Sequence, residues 1–170
     1  MADRDSTFDP LGVLAALERQ RATYVVIGAA ARVIHGADEV TRGVDITPSL
    51  RERNLELVEA ALVELNARPK DRRAIALVER VGREEAVIEL GTDLGEVKIV
   101  PRPAGTRGYD DLRRRAGREF LGTGVRARVA SIDDLTRMVA ALGREQDHAL
   151  LLDMRRLAEL DRSLGRVLER

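Results

Sequence analysis

Cysteine is absent from the 170 residues. Its absence excludes a disulfide framework, a zinc site built on thiolates and a cysteine nucleophile. Any metal ion would therefore have to be held by oxygen atoms or by one of the two histidines, His35 and His148. Because neither histidine has an acidic partner at metal-ligand spacing, we interpret both as structural or surface residues.

Long apolar runs and an excess of charge are also absent. No stretch of about 18 apolar residues is present, and the first ten residues lack the basic and apolar regions of a signal peptide. We therefore expect no membrane segment and a cytoplasmic location. The 29 basic and 29 acidic residues cancel, so no overall field draws the protein to nucleic acid or anionic lipid.

Basic residues are nevertheless concentrated in two short segments. One contains Arg113, Arg114, Arg115 and Arg118, and the other lies within residues 70–73. Acidic residues flank both segments and no aromatic residues are interleaved for base stacking, so we interpret them as solvated surface. Whether the arginines at 113–118 contact nucleic acid is left open.

The order of apolar patterns predicts a mixed sheet with flanking helices. We expect one domain over 1–170, with a core at about 10–130 and a helical C-terminal part at about 131–170. The fold class is α/β (α+β), because strand and helix patterns alternate before the final helices. Helices are predicted at 10–21, 29–35, 50–67, 109–117, 131–143 and 147–164, and strands at 23–28, 44–47, 74–80, 85–92, 95–103 and 125–131.

One segment carries a motif with chemical meaning. Gly28 and Ala29 end an apolar strand, thirteen residues follow, and then comes Gly43-Val44-Asp45-Ile46. Later segments read LGEVKIVPRPAGTRGYDDL and VRARVASIDDLTRMVAALGREQD. Together these segments resemble the nucleotidyltransferase superfamily, and most closely its small bacterial AbiEii-type toxins and minimal nucleotidyltransferases, over nearly the whole chain.

The resemblance implies a nucleotidyltransferase fold and a defined reaction. Such enzymes transfer a nucleoside monophosphate from a nucleoside triphosphate to a hydroxyl group, and many act in toxin–antitoxin or defence systems. In the family pattern two carboxylates, alternating with apolar residues on one strand, share a face of the sheet and hold two magnesium ions with a third carboxylate. The glycine pair allows close approach of the phosphates.

This sequence departs from the family pattern at the catalytic positions. Gly43 occupies the first metal-aspartate position, Asp45 retains the second, and Lys98 stands at the third. We therefore predict a catalytically impaired protein that needs no metal ion or other cofactor, with an Asp45–Lys98 ion pair in place of magnesium. By the resemblance, the residues that would contact a bound nucleotide are Gly28, Ala29, Thr41, Lys98 and Arg144.

Three alternatives remain open at this point. An active enzyme using Mg²⁺ and a nucleoside triphosphate would need Asp45 together with Glu96 or Glu39 as metal ligands, and its acceptor would be RNA, protein or a small molecule. A binding protein would instead recognise a partner protein or a nucleotide, with Lys98, Arg102 and Arg144 holding an anion without metal. The simplest alternative for Asp45 is a carboxylate that only accepts backbone hydrogen bonds.

Overall fold

The computed structural model of the protein describes residues 8–168, which form one mixed sheet with helices against it. Residues 1–7 and 169–170 lie outside the described residues. The segment for which the sequence predicts no signal peptide and the two ends of the domain predicted over 1–170 fall on them. The helices are α1 Pro10–Arg19, α2 Gly28–Ile34, α3 Glu52–Glu64, α4 Leu77–Gly82, α5 Tyr109–Leu112, α6 Ile132–Leu142 and α7 His148–Leu168, with a 3-10 turn at Glu145–Asp147. The strands are β1 Tyr24–Ile27, β2 Gly43–Pro48, β3 Arg68–Pro69, β4 Ile88–Thr92, β5 Gly95–Ile99, β6 Gly117–Phe120 and β7 Arg126–Val129.

The seven strands lie in the order β3-β4-β5-β2-β1-β7-β6. Strand β2 is parallel to β5, β1 is parallel to β7, and every other neighbouring pair is antiparallel. The predicted α/β class, with a mixed sheet flanked by helices, is confirmed. Strand β2 is the central strand of the seven and β1 lies beside it, so residues at their ends occupy the middle of the sheet.

Capping residues fix where two of the helices begin. The Asp9 side chain accepts a hydrogen bond from Gly12 N at 2.9 Å, with Pro10 as the first residue of α1. The Ser131 side chain accepts from Asp134 N at 3.1 Å at the start of α6. Each satisfies an amide that has no partner inside its helix, as the sequence predicts from these positions.

The core forms between the central strands and the apolar helix faces. All four residues of β1 are buried, and Leu17 of α1 and Leu62 of α3 belong to the same cluster. Met154, on the long C-terminal helix α7, is fully buried in it as well. The C-terminal helical segment therefore packs on the same core as the sheet.

The strand predicted at 74–80 is wrong, because this segment enters helix α4 at Leu77. Leu77 and Val81, one helical turn apart, are both buried, while Glu79 between them is exposed. Arg80 is also buried and binds Asp71 at 2.6 Å and Glu85 at 2.8 Å. The short run of apolar residues is one face of a helix, and over so few residues its period resembles that of a strand.

The helix predicted at 109–117 is only a single turn, and the chain then forms β6, which the sequence does not predict. Strand β6 pairs with β7 at the edge of the sheet. Its residues are Gly-Arg-Glu-Phe, so its conformation follows from hydrogen bonding to β7 rather than from its own apolar pattern. The two-residue strand β3 is missed for the same reason. Within residues 8–168, no helix combines the length and the apolar composition required to cross a membrane.

Candidate functional site

Asp45 lies near the middle of the sheet, on β2. It pairs in register with Ile27 of β1 on one side and with Lys98 of β5 on the other. Because side chains alternate along a strand, Val44 and Ile46 are fully buried on one face and Asp45 faces the other. The carboxyl group is therefore partly buried but reachable.

Gly28 makes the closest approach to this carboxyl group. Its φ of +68° lies in the left-handed region, and a Cβ atom at this position would come within 2.5 Å of Asp45 Oδ2. Any larger residue would meet both backbone strain and the carboxylate. The two ends of the sequence motif, Gly28 and Asp45, are thus in contact.

The expected Asp45–Lys98 ion pair is not formed as a direct contact. Within the described part of the chain, no basic nitrogen lies within 4.0 Å of the Asp45 carboxylate, and Lys98 Nζ instead lies 3.8 Å from Glu89 Oε1. Lys98 is in register with Glu89 on β4 as well as with Asp45 on β2. It therefore stands between two acids and has its salt bridge with the more exposed one.

Burial is the main influence on the ionisation of Asp45. It raises the pKa of the carboxyl group above the ordinary value of 3.8, whereas the positive charges of Lys98 and Arg32 lower it and the negative charges of Glu89 and Glu96 raise it. The net direction is upward, because the desolvation of a lone carboxylate outweighs cations that it does not touch. Asp45 is thus a carboxylate whose charge the protein does not fully compensate.

The two carboxylates proposed as substitute metal ligands are already held by cations. Glu39 accepts two hydrogen bonds from Arg32, at 2.7 and 2.9 Å. Glu96 accepts one from Lys70 at 2.9 Å, which holds the pKa of Glu96 below its usual value. Neither faces Asp45 as a free ligand.

Gly43, which the resemblance assigns to the first metal-aspartate position, has no room for a side chain. A Cβ atom there would lie 2.8 Å from the backbone oxygen of Glu96, on the neighbouring strand. No group of three or more histidine or acidic side chains in residues 8–168 is arranged to hold a metal ion. A single carboxylate beside an ammonium group does not provide the donor set that Mg²⁺ requires, so the residues present do not fit the magnesium of the family pattern.

Asp45 opens onto a cleft of about 580 Å³. Gly28, Ala29, Lys98, Arg102 and Arg144 all line it, so the structure brings together four of the predicted nucleotide-contacting residues and the predicted anion-binding trio. Arg102 is exposed, and no carboxylate within the described residues lies within salt-bridge distance of it. Arg144 is anchored by Asp147, with its Nε atom 2.6 Å from Oδ2.

Arg32 is a fourth basic residue of the cleft that the sequence analysis missed. It lies four residues after Gly28 on α2, and this helical spacing is the signal that would have placed it there. Helix α6 contributes apolar lining to the cleft through Leu135, Met138 and Val139. The cleft therefore combines four cations, one carboxylate and an apolar wall.

Thr41 is the predicted nucleotide-contacting residue that does not line the cleft. Its hydroxyl group donates to Gly43 O at 2.9 Å, which fixes the start of β2, and it borders a separate small cavity. His35 is bonded through Nε2 to Ala130 O at 2.8 Å, and His148 is exposed at the start of α7. These placements agree with the structural or surface roles expected of the histidines.

The sequence matches no protein-family model and no curated protein.

Proposed function

We propose that the protein has a nucleotidyltransferase-type fold whose cleft binds the phosphates of a nucleotide without a metal ion and does not transfer the nucleotidyl group. The observation that carries this proposal is the charge of the cleft: Arg32, Lys98, Arg102 and Arg144 line it together with the single acid Asp45. The contact between Gly28 and Asp45 and the position of Lys98 beside Asp45 support the nucleotidyltransferase interpretation of the motif.

The positive charges substitute for the role that magnesium has in the family pattern. A polyphosphate chain needs cations to bind, and guanidinium and ammonium groups supply them through charge-assisted hydrogen bonds. Arg102 is the best placed to do so, because it is exposed and has no carboxylate partner among the described residues. Arg32 and Arg144 are oriented by Glu39 and Asp147, which hold them at the cleft.

The apolar wall gives the rest of a nucleotide a surface to bind. Leu135, Met138 and Val139 of α6 line the same cleft as Asp45. A ligand with one anionic and one flat apolar part suits such a site, since pockets for small molecules combine an apolar lining with a few polar anchors. A nucleoside triphosphate has both parts.

The test is calorimetric titration of ATP and GTP into the protein with and without Mg²⁺. We expect binding in the absence of Mg²⁺. The variant Lys98→Gln/Arg102→Gln should bind about tenfold or more weakly, because each removes a charge-assisted contact. Arg155→Gln, an exposed arginine on α7 outside the cleft, is the matched control and should bind as the unaltered protein does.

Asp45→Asn separates this proposal from the alternative, an active metal-dependent nucleotidyltransferase. If the cleft binds phosphate directly, removing the negative charge of Asp45 leaves binding unchanged or strengthens it. If Asp45 holds magnesium, the same variant loses binding and any transfer of nucleoside monophosphate to an acceptor. Binding that requires Mg²⁺ and disappears in Asp45→Asn would overturn the proposal and restore the enzyme hypothesis.

A second variant asks whether Lys98 prevents metal binding. Lys98→Asp places a third carboxylate between Asp45 and Glu89, so Mg²⁺-dependent nucleotide binding should appear in it. We prefer it to a variant that also changes Gly43, because a side chain at Gly43 would collide with the backbone of β5.

A further inference from the structure

A second basic surface lies at the other end of β1 from the cleft. Two adjoining concavities, of about 380 and 360 Å³, share Arg21, Thr23 and Tyr109. Thr23 directly precedes β1, whereas the cleft begins at Ile27 and Gly28, where β1 ends. We call the two concavities together the arginine groove.

The groove has a large excess of positive charge. Five of the arginines that line the groove have no carboxylate within salt-bridge distance among residues 8–168. They are Arg21, Arg51, Arg118, Arg126 and Arg128. Two further arginines of the groove are paired, Arg53 with Glu56 and Arg113 with Asp110. The acids that line it are Asp110 and Glu18, and the Glu18 carboxylate accepts a hydrogen bond from the Tyr24 hydroxyl at 3.2 Å.

The β6–β7 hairpin supplies an ordered row of these groups. Arg118 is directly opposite Arg128, and Phe120 is directly opposite Arg126, so all four side chains share one face of the hairpin. Ala127, which alternates with them on β7, is buried on the other face. Arg126 and Arg128 are about 6.6 Å apart along the strand.

Two aromatic side chains lie near these arginines, although the sequence analysis found none interleaved with the basic segment. Phe120 is 65% exposed, and the Arg126 guanidinium carbon lies 5.9 Å from the centre of its ring. Tyr109 lines both concavities of the groove. An exposed aromatic ring beside unpaired arginines matches the combination that binds single-stranded nucleic acid, in which bases stack on rings and cations follow the phosphates.

We propose that the arginine groove binds single-stranded nucleic acid, with its five unpaired arginines on the phosphates and Phe120 stacked on a base. The groove is concave, so a flexible phosphodiester chain can enter it, whereas a flat anionic membrane could reach only its rim. The proposal does not depend on nucleotide binding in the cleft, because the two sites share no residue.

The test measures fluorescence anisotropy of labelled 15-residue oligo(U) and oligo(dT) from 50 to 200 mM salt. If five phosphates are engaged, the slope of log affinity against log salt is about −3.5, since each contact to a single strand contributes about −0.7. Arg118→Gln/Arg128→Gln should weaken binding and make the slope shallower by about 1.4. Phe120→Ala should weaken binding about tenfold with the slope unchanged, because stacking does not depend on counterions.

Matched controls distinguish binding at the arginine groove from nonspecific attraction of nucleic acid to any exposed arginine. Arg72→Gln/Arg155→Gln removes two exposed arginines outside the groove and should leave affinity and slope unchanged. Circular dichroism melting of each variant checks that the fold is retained. The proposal is overturned if neither oligonucleotide binds at 50 mM salt, if the groove and control variants lose affinity equally, or if a duplex of the same length competes as well as the single strand. Binding to phosphatidylserine vesicles but to neither oligonucleotide also overturns it.

Discussion

Replacement of Gly28 by alanine tests the contact on which the cleft is built. Alanine would have to adopt φ of +68°, which costs about 1–2 kcal/mol for a residue with a Cβ atom. Its methyl group would also lie 2.5 Å from Asp45 Oδ2, and overpacking of this kind costs about 1–3 kcal/mol. We therefore expect Gly28→Ala to lower the free energy of unfolding by about 2–5 kcal/mol.

A double-mutant cycle divides this cost into its two causes. In an Asp45→Ala background the carboxylate is gone, and the nearest remaining atom of residue 45 is its Cβ atom at 3.2 Å. The backbone strain of about 1–2 kcal/mol should then remain, together with a smaller steric cost from the contact at 3.2 Å. Urea unfolding followed by circular dichroism at 222 nm measures all four proteins, provided that their m-values agree.

The control for this cycle is Gly82→Ala. Gly82 ends α4 and lies outside the left-handed region, and a methyl group added to it would meet no atom within 4 Å, so alanine should be neutral or slightly stabilising there. Equal costs of Gly28→Ala in the two backgrounds would refute the reasoning, because the carboxylate of Asp45 would then not lie against Gly28.

Two further predictions concern stability. The folded-state pKa of Asp45 is raised, so the unfolded chain releases this proton first as the pH rises. Asp45 therefore lowers the free energy of unfolding from its unfolded-state pKa up to its folded-state pKa, and the loss persists above that. Asp45→Asn should gain stability relative to the unaltered protein between pH 3 and pH 7 in urea titrations, and a relative loss would contradict the raised pKa. Asn54 is buried, accepts a hydrogen bond from Thr23 N at 2.7 Å and donates to Thr23 O and Ser49 O, both at 2.8 Å. Asn54→Ala should therefore cost about 2–3 kcal/mol of unfolding free energy. A cost below about 0.5 kcal/mol would mean that water replaces these hydrogen bonds.

Much of the fold could be predicted from local patterns, and the exceptions have two causes. The starts of α1 and α6 could be predicted because Asp9, followed by Pro10, and Ser131 are capping residues that bind backbone amides only three residues away. Strand β6 has no such signal, since its conformation depends on pairing with β7, and the apolar run of helix α4 is too short to reveal its period. Pairing between strands is information that the local sequence does not hold.

The candidate site shows the same division. The resemblance to the nucleotidyltransferase pattern predicted that Gly28, Asp45 and Lys98 belong to one site, and all three line the cleft. The partner of Lys98 could not be predicted, since Glu89 reaches it only through the register of β4 with β5. The pairing of Phe120 with Arg126 could not be predicted for a similar reason, since the two residues are neighbours only in the folded hairpin.

The row of charges across β2, β5 and β4 also has a consequence for how the sheet is joined. In the observed pairing Lys98 stands between Asp45 and Glu89, and Glu96 faces Gly43. A slip of β2 by two residues in one direction would put Glu96 opposite Asp45, where two like charges repel, and in the other direction would put Asp45 opposite Val100. The charges of Asp45, Glu96 and Lys98 thus favour the observed alignment of β2 with β5 over one slipped by two residues, independently of any ligand.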